Sequence, residues 1–573
     1  MPTVRGTLLD EGGAYYNVEA GRVAGMTDDA VIQAALDAHD RVFVPAGTYR
    51  LAAPLRIRRS GTRLLGAGFA TVLQPAAGVL RALQVNGAPA RLADVELEGF
   101  TVDGSAAPFT QVGVEVDAVD RLRVRALSGR RLQGFVGLDN CADFVMTELV
   151  SDETADTLSF EFCRRGAVSA CTLTRVNEGI DLFDCEDLTF SGVSVSSWPA
   201  GEHKGIYQTG IDFSSSRAVA FTGCTVAGDF QWGMNVKDED VTQPTMSSCV
   251  VSGCSIVGFR EIGIWIEVGH APDVPPAGTR YRQLLVEGCT IRTDAPGANG
   301  IRTESLPELR MRDLVIADCL VEAPVHAVRI ENYAGIQLRG CTLRGTAAAT
   351  SAGNEGTALL ARGGRHPQSG AMIDVRALSV VGCDLASTAG HAVFMDQVVD
   401  PLVEGCTLQA GSSGVWLRNC RRPTLLGNVV RNTGANAIRV EWVAGADVPM
   451  ERYLDTVNRV VGAVVDGNVA RNWGRGAAGS AGVAVAFAGL SGSWNQLSVS
   501  GNRLLLDADG TQDGAATLNG QVGIAFERGG ISTLEWAQVD NNLVYGPAEG
   551  IRDGGALGTT STRKDNLVKL LLR

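Results

Sequence analysis

The sequence predicts an all-β chain wound as a right-handed parallel β-helix, a solenoid with one short capping helix at its N-terminal end. Three observations carry that expectation. A short turn pattern recurs along the chain, an alternating strand precedes each copy, and a row of cysteines (Cys141, Cys163, Cys185) keeps a step of 22 residues. Self-similarity at a period of this size is the mark of a solenoid.

The turn pattern reads apolar, any residue, Gly, Cys or Asn, small or polar, apolar. It appears as FTGCTV at Cys224, VSGCSI at Cys254, VEGCTI at Cys289, VVGCDL at Cys383 and VEGCTL at Cys406, with looser copies at Cys171, Cys319 and Cys341. Farther on, Asn takes the place of Cys, as in LLGNVV at Asn428, VDGNVA at Asn468, VSGNRL at Asn502 and VDNNLV at Asn542. The strands before these turns open on Gly or Ala: GIDLFD (179–184), GIDFSS (210–215), GMNVKD (233–238), GIWIEV (263–268), GVWLRN (414–419) and AIRVEW (437–442). Short alternating strands cannot bury an apolar face alone. Stacked at about 4.8 Å, each gains a partner above and below. Ile180, Leu182, Phe213, Ile266 and Leu417 then point inward. The Cys and Asn side chains are expected to stack as ladders at the turns. The 13 cysteines, an odd number, read as small buried packing residues rather than disulfides or metal ligands.

Glycine is abundant, at 70 of 573 residues, as many tight turns require. The net charge of −13 disfavours a nucleic-acid partner, whose phosphates need a basic footprint, and no run is apolar enough to span a membrane. The opening MPTVRGTLLDEGG carries no apolar signal segment. An extracellular or virion-borne protein could look like this.

Residues 27–39 read as the capping helix. Thr27 is expected as its N-cap, Asp28 and Asp29 suit its positive end, and Val31, Ile32, Ala35 and Leu36 form its apolar face. The expected organisation is 1–105 for the cap and first coils, 106–555 for the remaining coils, and 556–573 for a C-terminal cap or tail.

TDDAVIQAALDA followed by RVFVPAGTYRL, PLRI, SGTRLLGAG and FTVDGS resembles the N-terminal module of the pectate-lyase-like superfamily. That group includes phage tailspike depolymerases, uronan epimerases, glycosidases and polysaccharide lyases. The resemblance implies the β-helix and a polysaccharide partner, and its tailspike members imply a homotrimer. The polygalacturonase-type Gly-His-Gly and Arg-Ile-Lys elements and the epimerase Asp-Pro-His strand are absent, so no reaction carries over by motif.

Aligning the strands on their inward positions gives two outward columns. One contains Ser159, Asp181, Asp212, Asn235 and Trp265. The other contains Glu161, Phe183, Ser214, Lys237 and Glu267. Asp181 and Asp212 would stand one coil apart, close enough that one of the two pKa values rises. A proton-sharing carboxylate pair is what glycoside cleavage needs. Asp181 with Asp212 suits the closer spacing of retaining enzymes, and Glu161 with Asp212 the wider spacing of inverting ones. Asp181, Asp184 and Asp212 could instead hold Ca²⁺, with Lys237 as the base of a lyase. His203 and Tyr207, on a loop inserted between these coils, and Trp232, Asn235, Trp265 and Glu267 are the expected substrate contacts. The sequence thus favours a glycoside hydrolase. A polysaccharide lyase or epimerase and a non-catalytic glycan-binding fibre are the alternatives.

Overall fold

The fold was analysed in a computed structural model. It describes residues 3–4, 7–10, 13–202, 208–238, 246–268, 279–304, 310–331, 333–347, 356–365, 372–373, 375–444, 460–475, 477–506, 521–529, 531 and 533–569. Contacts divide the chain into two units, Met1–Phe259 and Arg260–Arg573. Each is a parallel β-helix, as the sequence predicts. Its strands pair with the equivalent strand of the next coil, in register and in parallel. In the first unit Val150–Glu161 pairs with Thr172–Phe183, which pairs with Thr209–Ser214, which pairs with Trp232–Asp238. In the second unit Val393–Asp396 pairs with Val415–Arg418 and then with Ile438–Val443.

The helix spans Asp28–Ala38 and buries Val31, Ile32, Ala35 and Leu36, the expected face. Thr27 precedes it but makes no side-chain cap. The acidic first turn instead works outward. Asp28 accepts from the Arg50 amide at 2.8 Å and pairs with Arg22 at 2.9 Å. Gln33 pins the helix to the first coils, accepting from the Arg56 amide at 2.8 Å and donating to the Arg56 carbonyl at 3.0 Å.

The core is the stack of inward side chains. Ile180, Leu182, Phe213, Ile266 and Leu417 are all fully buried. All 13 cysteines are buried and unbridged. Each thiol in the first row donates to a carbonyl two residues back, and also to one in the preceding coil: Cys163 to Glu161 and Leu138, Cys185 to Phe183 and Phe160. The asparagine row is stronger. Asn468 donates through Nδ2 to Asn502 Oδ1 at 3.0 Å, and Asn502 to Asn542 Oδ1 at 3.0 Å. Each Oδ1 also accepts the backbone amide of the preceding ladder residue at 3.0 Å. Asn428 Oδ1 takes the amide of Cys406, joining the two ladders.

One irregularity recurs, and it positions the site. Strict alternation from Ile180 and Leu182 would turn Glu178 inward. A Cβ on Gly179, however, would meet Val195 Cγ1 at 2.3 Å and the Gly210 carbonyl oxygen at 2.5 Å, so this position too faces the core. Gly210 repeats the arrangement against Val226 at 2.2 Å and the Gly233 oxygen at 2.6 Å. Two consecutive inward residues reset the alternation. The residue before each glycine therefore joins the outer face.

Candidate functional site

The reset adds a third outward column to the two expected from sequence. In the first unit it runs Asp156, Glu178, Thr209, Trp232, each in register with the next. Three residues farther along the same strands lie Ser159, Asp181, Asp212 and Asn235, and beyond them Glu161, Phe183, Ser214 and Lys237. Asp181 and Asp212 are therefore neighbours in one column, about 4.8 Å apart at the backbone.

Four carboxyl groups and one ammonium meet here. Lys237 Nζ lies 3.0 Å from Asp212 Oδ2, and Asp212 is only 5% exposed. Glu178 is 8% exposed. Burial pushes its carboxyl up to about 9, and the charges of Asp181, Asp212 and Asp156 push it the same way against the opposing pull of Lys237. Asp156 is also raised by burial, although Gln133 donates to it at 2.8 Å. At neutral pH Glu178 therefore keeps its proton while facing acidic neighbours. Such an arrangement separates the acid from the base within one cluster. Past the end of the neighbouring strand Phe162 is exposed and packs edge-on against Phe183, two residues beyond Asp181, with ring centroids 5.7 Å apart.

The sequence-predicted residues do not all come together. Asp181, Asp212 and Lys237 are brought together. Trp232 is half-buried and follows Thr209 in the Glu178 column, and Asn235 stands beside Asp212 but is 1% exposed, part of the floor rather than a contact surface. Glu161 is exposed and in register with Phe183 and Ser214, one column away from the aspartates, so it does not pair with Asp212. Trp265 and Glu267 belong to the second unit, in register with Arg302 and Glu304. His203 and Tyr207 lie outside the described residues.

The Ca²⁺ arrangement is not what the geometry gives. Asp184 sits in a left-handed turn at φ 48°, past the end of its strand, and Lys237 already occupies Asp212. Among the described residues no group of three or more His, Cys, Asp or Glu is placed to hold a metal. The sequence reading missed Glu178 and Asp156. The signal for Glu178 is the Gly179 that follows it, where alternation resets; Asp156 is followed by Thr157 and carries no such mark.

In the second unit the outward columns are ion-paired. Arg302 meets Glu304 at 2.5 Å, Arg329 meets Glu331 at 2.8 Å, and Arg439 meets Glu441 at 2.7 Å. Glu441 also accepts from Trp416 Nε1 at 2.8 Å. Arg362 stands between Glu331 and Asp396 in the same column.

No family model matches the chain, and no curated protein does. Solved structures similar to it include the A-module of the mannuronan C-5 epimerase AlgE6 of Azotobacter vinelandii. That match has 13% identity and a TM-score of 0.39, covering 79% of this chain and 99% of that one. The pre-mature bacteriophage phi29 gene product 12 is 11% identical with a TM-score of 0.44, over 94% of this chain and 72% of that one. The polygalacturonase of Erwinia carotovora is 10% identical with a TM-score of 0.30, over 56% and 91%. The fold assignment rests on the strand register described above, and the chemistry on the side chains themselves.

Proposed function

We propose that the protein cleaves a polysaccharide as a glycoside hydrolase, with Glu178 as the general acid. The observation that carries this reading is a carboxyl buried in an acidic column, where burial and the nearby Asp181, Asp212 and Asp156 push it up to about 9. Glycoside cleavage needs one protonated group to protonate the leaving oxygen and one carboxylate to attack or to activate water. Asp181 fits the second role. It is half-buried and adjacent in the cluster, whereas Asp212 is already held by Lys237 at 3.0 Å. The Asp212–Lys237 pair places an ion pair, only partly exposed, beside Asp181.

The cluster lies on the outer face of a sheet, where a polymer can pass, and Phe162 offers an apolar surface on which a sugar ring can stack. A lyase would need a neutral base in contact with the sugar. Lys237, engaged by a buried aspartate, is poorly suited to that role. Glu178→Gln removes the proton donor while keeping the shape. Turnover of any polysaccharide the protein accepts is expected to fall by about a hundredfold or more, the scale of a lost general acid. Unchanged turnover in that variant contradicts the assignment.

A further inference from the structure

A second charged site lies at the start of the first unit, away from the acidic cluster. The strand Leu55–Ile57 pairs with Arg81–Asn86, with Arg56 next to Gln84. Arg56 and Arg58 alternate with the buried Ile57 and so share one outward face. Together with Arg59, Ser60, Asn86 and the segment 87–92, which includes Arg91, they line a cleft of about 830 Å³. Among the described residues no carboxylate lines it.

Two of its four guanidinium groups are neutralised from outside. Arg91 forks onto Asp120 at 2.7–3.1 Å, and Arg59 lies 3.3 Å from Asp40. Among the described residues neither Arg56 nor Arg58 has a carboxylate partner, although most arginines of this unit do. Two guanidinium groups without a carboxylate partner, side by side over a concave surface, give a local positive potential that attracts an anion from solution. Their planar forks fit an oxyanion. On the same floor Gln84 Nε2 donates to Glu115 at 3.0 Å and Asn86 Oδ1 accepts from the Ala88 amide at 2.7 Å, so the guanidinium groups carry the recognition.

The positive region is short. Glu115 and Asp117 follow Gln84 and Asn86 in the next coil, and Asp139 follows Asp117. A long polyanion laid along this face would meet those carboxylates, whereas a single anionic group would not. We propose that this cleft binds one discrete oxyanion, either a carboxylate or sulfate borne by a sugar or a free inorganic anion.

The test is a calorimetric titration of the full chain with sodium sulfate, with glucuronate and with glucose. Saturable binding of sulfate, of glucuronate or of both is expected, and none of glucose. Glucuronate binding identifies a sugar-borne group, and sulfate binding alone identifies an inorganic ion. Arg56→Gln with Arg58→Gln is expected to weaken the anion by about tenfold or more, the equivalent of one lost charge-assisted hydrogen bond. Both residues are exposed and leave the fold intact, which the unchanged melting of the variant without ligand checks. Glu178→Gln is expected to bind the anion as the wild type does, so the cleft stands or falls separately from the proposed hydrolase. Absence of saturable anion binding, equal binding of glucose, binding undiminished in the double variant or binding lost in Glu178→Gln overturns the proposal.

Discussion

At the scale of single residues the site is governed by Glu178. Its proton is retained because burial and three neighbouring acids make the charged form costly. The alkaline limb of activity is therefore expected near pH 9 rather than in the ordinary carboxylate range, measurable as a pH–rate profile. Asp156 adds to the upward push, so Asp156→Asn should keep turnover and move that limb to lower pH. The same proton links to stability. Between Glu178's ordinary value of 4.5 and about 9 the folded state binds more protons than the unfolded one, so stability falls as pH rises through that window. Glu178→Gln should flatten this slope in denaturant titrations at several pH values and leave the protein more stable at pH 8 than the wild type. Such a gain at the expense of function is the usual trade at an active site. Lys237 works in the opposite sense. Lys237→Met leaves Asp212 buried and uncompensated, which should cost roughly 3–5 kcal/mol in chemical denaturation. The sequence alone revealed Asp181, Asp212 and Lys237, because they alternate regularly from the apolar core positions. It did not reveal Glu178, because the alternation breaks between it and Ile180.

At the scale of elements the break is a packing device. Gly179 and Gly210 face the core where a methyl group would strike the backbone oxygen of the next coil. Gly179→Ala is expected to destabilise by about 1–3 kcal/mol and to disturb the setting of Glu178, seen as loss of activity together with a lowered melting temperature. The same glycines were visible in the sequence as the residues that open each strand, but their effect on facing depends on contacts with Val195 and Val226 in other strands. The ladders were legible in kind, since stacked coils must bring equivalent turn residues together. Asn502 differs from the cysteines in bridging both a side chain and a backbone amide of the coil before it. Asn502→Ala strands those buried donors and should cost about 1–3 kcal/mol or more, whereas Cys→Ala in the neighbouring row removes only weak thiol donors. The helix Asp28–Ala38 was predicted nearly to the residue, since its apolar face is a matter of period. Thr27 is its N-cap residue as expected, but the Thr27 side chain makes no cap hydrogen bond, while Asp28 pairs with Arg22 and accepts from the Arg50 amide elsewhere in the chain.

At the scale of the molecule, repetition explains why the architecture was readable and the chemistry only partly so. A coil repeated many times writes its period into the sequence repeatedly, and one misread copy changes nothing. The proposed catalytic cluster is written once, across two adjacent coils, in residues that the repeat places side by side: Glu178, Asp181 and Asp212. Within the second unit the corresponding columns carry arginine–glutamate pairs instead, so the same scaffold presents a different surface. The central claim is that the acidic cluster of the first unit hydrolyses a glycan through the proton on Glu178. The most direct measurement is a panel of polysaccharides incubated with the wild type and with Glu178→Gln, each read for new reducing ends and for ultraviolet absorbance. New reducing ends without absorbance from a carbon–carbon double bond, lost in Glu178→Gln, is the expected result. Absorbance growing with each cut, or reducing ends released equally by both proteins, contradicts it.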